Sequence, residues 1–267
     1  MQLSALSRLA PTPRLPALFV GHGNPMNAVE DNAYSRAWAE LGEKLPRPQA
    51  ILCVSAHWMT QGRSLVHVGR KPRTIHDFGG FPRELFAQAY PAPGAPEAAA
   101  ATLELLQTHH VAPDEEWGLD HGAWSVLIRM FPNADAPVFQ LSLDLGMPPL
   151  AHLELARELK TLRERGVLIV GSGNLVHNLG AMRPGGAPYD WGLDFDAQMK
   201  ARIDARDAAG VANALDSSRT ARLSHPTPEH FLPVLYPLGV ADEKDELSFF
   251  SESFDLASIS MRSFLLS

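Results

Sequence analysis

The sequence predicts an α/β fold: a single domain over residues 1–267, with a mainly parallel central sheet, helices on both of its faces and an antiparallel edge. Three observations lead there. Apolar runs of strand length recur along the chain, stretches of helical periodicity separate them, and two β-rich segments, SFFSES and SISMRSFLL, close the sequence. Parallel neighbours need a long crossover, usually a helix, so strands alternating with helices favour a parallel sheet covered on both sides. Ligands of such sheets bind beyond the C-terminal ends of the strands.

The elements follow in order. Residues 1–15 form an N-terminal arm, and Pro16 to Val20 is a buried strand that ends at Gly21 and delivers His22 into a Gly/Asn/Pro turn. A helix is expected over 32–44, and a second buried strand over Ala50 to Ser55, just before His57 and Trp58. Leu65 and His67 lie in a short strand, TIHDFGGFP is a loop, and a short helix spans Arg83 to Ala89. The prolines of YPAPGAP stop any element, and Pro96 opens an Ala-rich helix, since proline suits a first helical turn. WGLDHGAW reads as a loop, followed by a helix through Met130 and a strand from Pro137 to Leu143. A helix starting at Pro148 and Pro149 carries Leu150, Leu153, Ala156, Leu159 and Leu162 on one stripe and stops at Gly166. Strand Val167 to Val170 follows, then a long helix over Asp194 to Ala214 and the antiparallel edge.

Composition bounds the function. The 267 residues are 45% hydrophobic, enough for a full core, and 23 basic against 30 acidic residues leave a net charge of −7 with no basic stripe to hold phosphates. Nucleic acid is excluded as a partner. The apolar runs are too short for a bilayer, and the opening residues lack the apolar stretch and cleavage site of a signal peptide, which points to a cytoplasmic protein without a membrane partner. A single cysteine, Cys53, rules out intrachain disulfides and multi-thiolate zinc sites, and its place in ILCVSA reads as a small buried hydrophobe.

Histidines carry the chemistry. His22 in VGHGNP, His57 in CVSAHW, His177 in GSGNLVHNL and His230 in HPTPEHFLP stand at strand ends or in turns. Any one of them is more often a hydrogen-bonded structural residue, but four in similar contexts point to one metal site with its own acid or base. LFVGHGNP and LIVGSGNL share a Gly-x-Gly-Asn turn after an apolar strand. A sharp strand exit explains that likeness better than duplication, and neither copy has the spacing of a dinucleotide or phosphate loop. His76 and Asp77 either line the pocket or stabilise a turn. Tyr90, Trp58, Trp117 and Trp124 read as packing or pocket wall, His225 as a surface or outer-shell residue, and His67, His109, His110 and His152 as structural or exposed.

The segments GHGNPMNAVEDNAYSRAW, LPRPQAILCVSAHW, TIHDFGGFP, YPAPG, WGLDHGAW, GSGNLVHNL and PTPEHFLP together resemble the bacterial and plant 4,5-DOPA extradiol dioxygenase family, in the superfamily of the protocatechuate 4,5-dioxygenase catalytic subunit. The resemblance spans nearly the whole chain. It implies an α/β fold and one divalent metal: Fe²⁺ for ring cleavage, with Zn²⁺ the ion expected as purified. His22, His57 and His230 match the metal ligands. His177 matches a residue acting either as a further zinc ligand or as a base, and His121 in LDHG matches a histidine assigned to substrate binding or acid–base work. Neighbouring side chains on a helix diverge by about 100°, so only one of Glu229 and His230 should face the metal; the resemblance favours His230, with Glu229 the fallback.

The activity so implied is extradiol cleavage of a catechol, DOPA-like among the candidates, by O₂ to a muconate semialdehyde, with His121 and His177 as proton carriers. Two alternatives stay open: a zinc hydrolase built on the same histidines, and a non-catalytic metal-binding protein of the same fold.

Overall fold

The computed structural model describes residues 4–215 and 217–267. Its centre is a six-stranded sheet built from β1 (Ala17–Gly21), β2 (Ala50–Ser55), β3 (Val138–Gln140), β4 (Val167–Gly173), β5 (Leu247–Phe250) and β6 (Ser263–Leu266), in the order β5-β6-β1-β4-β2-β3. β1, β4, β2 and β3 run parallel, while β6 pairs antiparallel with both β1 and β5. The parallel sheet and the antiparallel edge therefore match the expectation. The register opposes Gly21 to Gly173 and Ser172 to Ser55, so the C-terminal ends of three neighbouring strands are level. Whatever follows them in sequence emerges along one rim.

Alternation along each strand explains the layers. Leu18, Val20, Ile51, Cys53, Leu168 and Val170 face one core with Trp38, Trp124 and Leu127; Ala17, Phe19, Leu52, Val54, Val167 and Ile169 face the other with Leu153, Phe195 and Tyr236. A strand buried on both faces must be apolar at every position, which is why these segments read as continuous hydrophobic runs. The helices that frame the sheet include α1 (Ala33–Lys44), α2 (Pro96–Leu105), α3 (His121–Met130), α4 (Pro149–Glu158), α5 (Asp190–Asp204) and α6 (Leu235–Gly239). α1 and α3 cover the first face, and α4, α5 and α6 the second. Asn32 caps α1 reciprocally with Ser35, and Pro96 and Pro149 stand in the first turns of their helices.

Several expectations need correction. WGLDHGAW is not all loop: Gly118–Leu119 is a short strand, and Asp120 caps α3 by accepting from the Ala123 amide, so His121 sits in the first turn of a helix. The strand expected from Pro137 to Leu143 splits into β3 and the pair Leu143–Asp144. The helix expected over Asp194 to Ala214 starts earlier and breaks after Asp204: Arg206 takes φ 59° and Asp207 caps a new helix, Ala208–Ala212. The helix at Arg83 ends at Phe86, and Leu150, on the expected apolar stripe of α4, is 38% exposed. Ala5–Arg8 forms a helical turn whose Ala5 amide donates to the Glu104 carboxylate on α2. Among the described residues, no helix is long and apolar enough to cross a membrane.

A buried ion pair ties the lower end together. Arg163 is fully buried and donates to the carboxylate of Asp245 at 2.6 and 3.0 Å and to the carbonyls of Leu15, Val240 and Leu266. Every donor direction of the guanidinium it uses meets an oxygen, which is what lets a charge exist in a core.

Candidate active site

Three features of the chain bring the histidines together. The aligned ends of β1 and β2 place His22 and His57 side by side, with ring centroids 5.1 Å apart. His230 arrives from the second half because β4 lacks side chains where that segment lies: a Cβ on Gly171 would collide with the Pro233 carbonyl, and one on Gly173 with the His230 carbonyl. The Asn174 amide then donates to His230 O at 2.8 Å. The His230 ring lies 5.4 Å from that of His22 and 4.9 Å from that of His57. The glycines of GSGN are thus accounted for by close approach, not by phosphate binding.

Hydrogen bonds determine which ring nitrogen is free. Ser172 Oγ donates to the Gly122 carbonyl at 2.5 Å, so it can only accept from His22 Nδ1 at 3.0 Å. Asp77 Oδ2 accepts from His121 Nδ1 at 2.9 Å and from His57 Nδ1 at 3.3 Å, while Asp77 Oδ1 takes the His121 backbone amide at 2.9 Å. Glu229 Oε1 faces His230 Nδ1 at 3.1 Å and accepts from Thr227 Oγ1 at 2.9 Å. In all four rings the proton belongs on Nδ1 and the lone pair on Nε2. Nε2 of His57 and Nε2 of His22 are 3.2 Å apart. With both protons committed elsewhere, that contact is two acceptors face to face, which is favourable only with a cation or a shared proton between them.

A proton is the poorer occupant. Burial, reinforced by neighbouring imidazoles, holds His22 and His230 well below their ordinary value. Burial and His121 push His57 down to about 3 despite Asp77, and burial with His225 and His121 brings His177 to about 3. Neutral imidazoles with converging lone pairs fit a divalent metal. For Asp77, burial pulls upward, but its hydrogen bonds from the His121 ring and backbone amide, with the electrostatic influence of the His121 and His57 rings, hold the carboxyl below the usual range, so it is ionised at neutral pH.

The ligand atoms form two compact groups, His22 with His57 and His121, and His177 with Glu229 and His230, each within 4.8 Å. His177 stacks on His230 with centroids 3.4 Å apart and planes at 6°, and His121 packs on His57 at 3.8 Å. The expected set therefore converges, with two differences. His121 is as near to His22 and His57 as a ligand would be, and Glu229 does not point away from His230, because residues 229 and 230 lie in a turn and not in a helix.

These residues open on a cavity of about 520 Å³ whose walls include Phe78, Phe81, Leu179, Met182, Leu256 and Ile259. Met182 and Leu256 carried no signal in the sequence, and Phe78, Phe81, Leu179, Ile259 and Ser172 lay in marked segments without being singled out themselves. Asp77 was singled out, through its Gly-rich loop, but its neighbour His76 only braces that loop, with Nε2 3.0 Å from the Gln88 carbonyl. His225 is buried, not on the surface, and bonds the Leu175 carbonyl at 2.8 Å. His152 is buried between Tyr236 Oη and the Asp144 carbonyl. Trp124 and Tyr90 donate to the carbonyls of Ile75 and Phe131, and Trp58 stacks on Trp117 at 5.5 Å.

A doubly covered parallel sheet with a multi-histidine centre at its C-terminal rim is the architecture of a metal-dependent α/β enzyme. The chain matches, over residues 17–263, the family described as the catalytic LigB subunit of aromatic ring-opening dioxygenase, and it belongs to that family. It is 47% identical over 256 residues to the 4,5-DOPA dioxygenase extradiol of Escherichia coli (strain K12), covering 94% of each chain. The protein of the same name from Beta vulgaris is 37% identical over 246 residues, 89% of this chain and 91% of that one. The crystal structure of an uncharacterized protein from Escherichia coli K12 is similar throughout, with a TM-score of 0.81, 41% identity and coverage of 95% of this chain and all of that one.

Proposed function

We propose that this chain, as a single catalytic domain working in the cytoplasm, is a metal-dependent extradiol dioxygenase that opens a catechol, DOPA among the candidates, with O₂ to give a muconate semialdehyde. The observation that carries the proposal is the convergence of imidazole Nε2 atoms, their Nδ1 protons committed to Ser172, Asp77 and Glu229, at the head of a cavity with apolar walls. Membership of an aromatic ring-opening family agrees with it.

His22, His57 and His230 would hold the metal, with His177 beside them as a further ligand or a base. Iron bound there supplies the redox chemistry between dioxygen and a bound diol, whereas zinc, the ion expected as purified, has no accessible second oxidation state. The chain's own residues have separate tasks. Phe78, Leu256 and Ile259 take the faces of an aromatic ring and keep water from the centre. His121, its Nδ1 anchored on Asp77, keeps Nε2 as the free nitrogen that accepts a hydroxyl proton and returns it later. A zinc hydrolase built on the same histidines is the second reading, and Glu229, with Oε1 engaged by Thr227 and His230, is the carboxylate beside it.

The test is anaerobic loading with Fe²⁺, addition of catechols, and measurement of oxygen uptake with the yellow ring-fission chromophore. Oxygen consumption with cleavage beside the diol is expected. No consumption with any catechol, or hydrolytic activity lost on exchanging zinc for iron, refutes the proposal.

A further inference from the structure

We infer that Asn24 reads the substituent of the catechol, its side-chain amide donating to a carboxylate on the tail. This rests on the ring-cleavage reading and deepens it. Asn24 lines the cavity that holds the histidines, and one hydrogen bond sets its orientation: the Met26 amide lies 3.0 Å from Oδ1. Only an oxygen can accept from an N–H, so Oδ1 is committed, and the two hydrogens on Nδ2 meet no acceptor among the described residues. The backbone on either side is fixed. Gly23 turns at φ 55° where a Cβ would collide with the Met261 sulfur, and Pro25 opens the short 3₁₀ turn Pro25–Ala28 that Asn24 caps. The donor is therefore in place before a ligand arrives.

The other polar side chains of the cavity are engaged or turned to the metal end. His22, His57, His121 and His230 direct their Nδ1 protons to Ser172, Asp77 and Glu229, and His177 stacks on His230. Asp77 can only accept, and already takes the His121 amide, His121 Nδ1 and His57 Nδ1. Among the described residues lining the cavity there is no Lys or Arg, which leaves Asn24 as the side-chain donor for an anionic tail. A neutral donor is enough because the mouth is wet. Leu179 and Met182 line it and are 55% and 45% exposed, so a carboxylate there keeps part of its hydration and an ammonium beside it stays in solvent. A hydrogen bond to an ionised acceptor is stronger than one between neutral groups, so one amide can discriminate.

The experiment compares 4-methylcatechol, dopamine, 3-(3,4-dihydroxyphenyl)propionate and DOPA. Binding is measured anaerobically by calorimetry on zinc-loaded protein, and kcat/KM on iron-loaded protein. Asn24→Ser keeps an oxygen that can cap the turn and removes the NH₂ group, whereas Asn24→Asp keeps size and cap and puts a negative charge where the donor was. With melting temperature and zinc content as checks, the serine variant should bind the propionate and DOPA about tenfold or more weakly, with less than about a twofold change for 4-methylcatechol and dopamine. The aspartate variant should lose more on the two carboxylates and bind dopamine as well as wild type or better. An equal loss on all four ligands, which would place Asn24 at the diol, or unchanged binding of the carboxylates in either folded variant, overturns the inference. If no catechol drives oxygen uptake while the binding split holds, the ring-cleavage reading fails and the role of Asn24 stands.

Discussion

Replacing Asp77 by Asn should uncouple the centre at two points at once. The carboxylate spends Oδ1 on the His121 amide and Oδ2 on the Nδ1 protons of both His121 and His57. An amide has one oxygen, so it cannot serve both sides. If that oxygen stays on the backbone amide, the NH₂ group opposes two ring N–H groups and drives both imidazoles to the tautomer with a protonated Nε2, which cannot ligate. If the amide flips, the His121 N–H in the first turn of α3 is left facing a donor. Losing a partner that orients a metal-bound histidine typically costs 10–100-fold in metal affinity, or about 1.4–2.7 kcal/mol. Loss of an oriented acid or base costs on the order of 10²–10⁴-fold in rate, here through His121. The assay is chelator competition for Zn²⁺, then turnover with catechol at saturating Fe²⁺, with the melting temperature as a check on folding. A folded Asp77→Asn protein with wild-type metal affinity and turnover would refute the assignment of tautomers by this carboxylate.

Other predictions separate the remaining parts. His22→Ala, His57→Ala and His230→Ala should each lose most bound metal by elemental analysis, and full occupancy in any of them removes that residue from the ligand set. His121→Ala should keep its metal and lose about 10²–10⁴-fold in turnover; metal loss instead would make His121 a ligand, as its proximity to His22 and His57 allows. Ser172→Ala frees only His22 Nδ1 and leaves the Gly122 carbonyl without its donor, so metal affinity should fall about 10–100-fold with His121 chemistry intact, read as a changed metal Kd at unchanged kcat under saturating metal. Arg163→Met strips the buried Asp245 of its bidentate partner and should cost about 3–5 kcal/mol in urea unfolding. Burial holds His152 at about 4 in the folded state, against about 6.5 for a free imidazole, so the unfolded chain takes up its proton first as pH falls. The stability that His152 contributes is complete above about pH 6.5 and is lost towards pH 4, about 2 kcal/mol of it by pH 5. His152→Gln should lose less stability than wild type between pH 7 and pH 5 by about that amount; identical slopes would show that His152 does not titrate on unfolding.

How much could be read from the sequence depends on how local the cause is. Burial on both faces demands apolar residues at every strand position, so β1, β2 and β4 stood out as runs, and a strand exit needs glycine, so His22 and His177 were visible as rim residues. Where a break depends on a single backbone angle, as at Arg206, or on a cap such as Asp120 or Asp207, periodicity continues across it and the boundary was misread. The LDHG motif marked His121 but not its place in the first turn of α3.

The chain alone determined the class of sheet, its antiparallel edge and the histidines that meet at its rim, because strand burial and turn chemistry are written in consecutive residues. Only the tertiary structure decided that Ser172 and Asp77 fix the tautomers, that Glu229 turns onto His230, that His177 stacks on it, and that Phe78, Leu256 and Ile259 wall the cavity. Apart from the contact between the neighbours Glu229 and His230, those relations join residues tens to more than a hundred positions apart. They arise from the register of β1, β4 and β2, which opposes Gly21 to Gly173 and Ser172 to Ser55, and from glycines that admit a distant carbonyl where a Cβ would not fit.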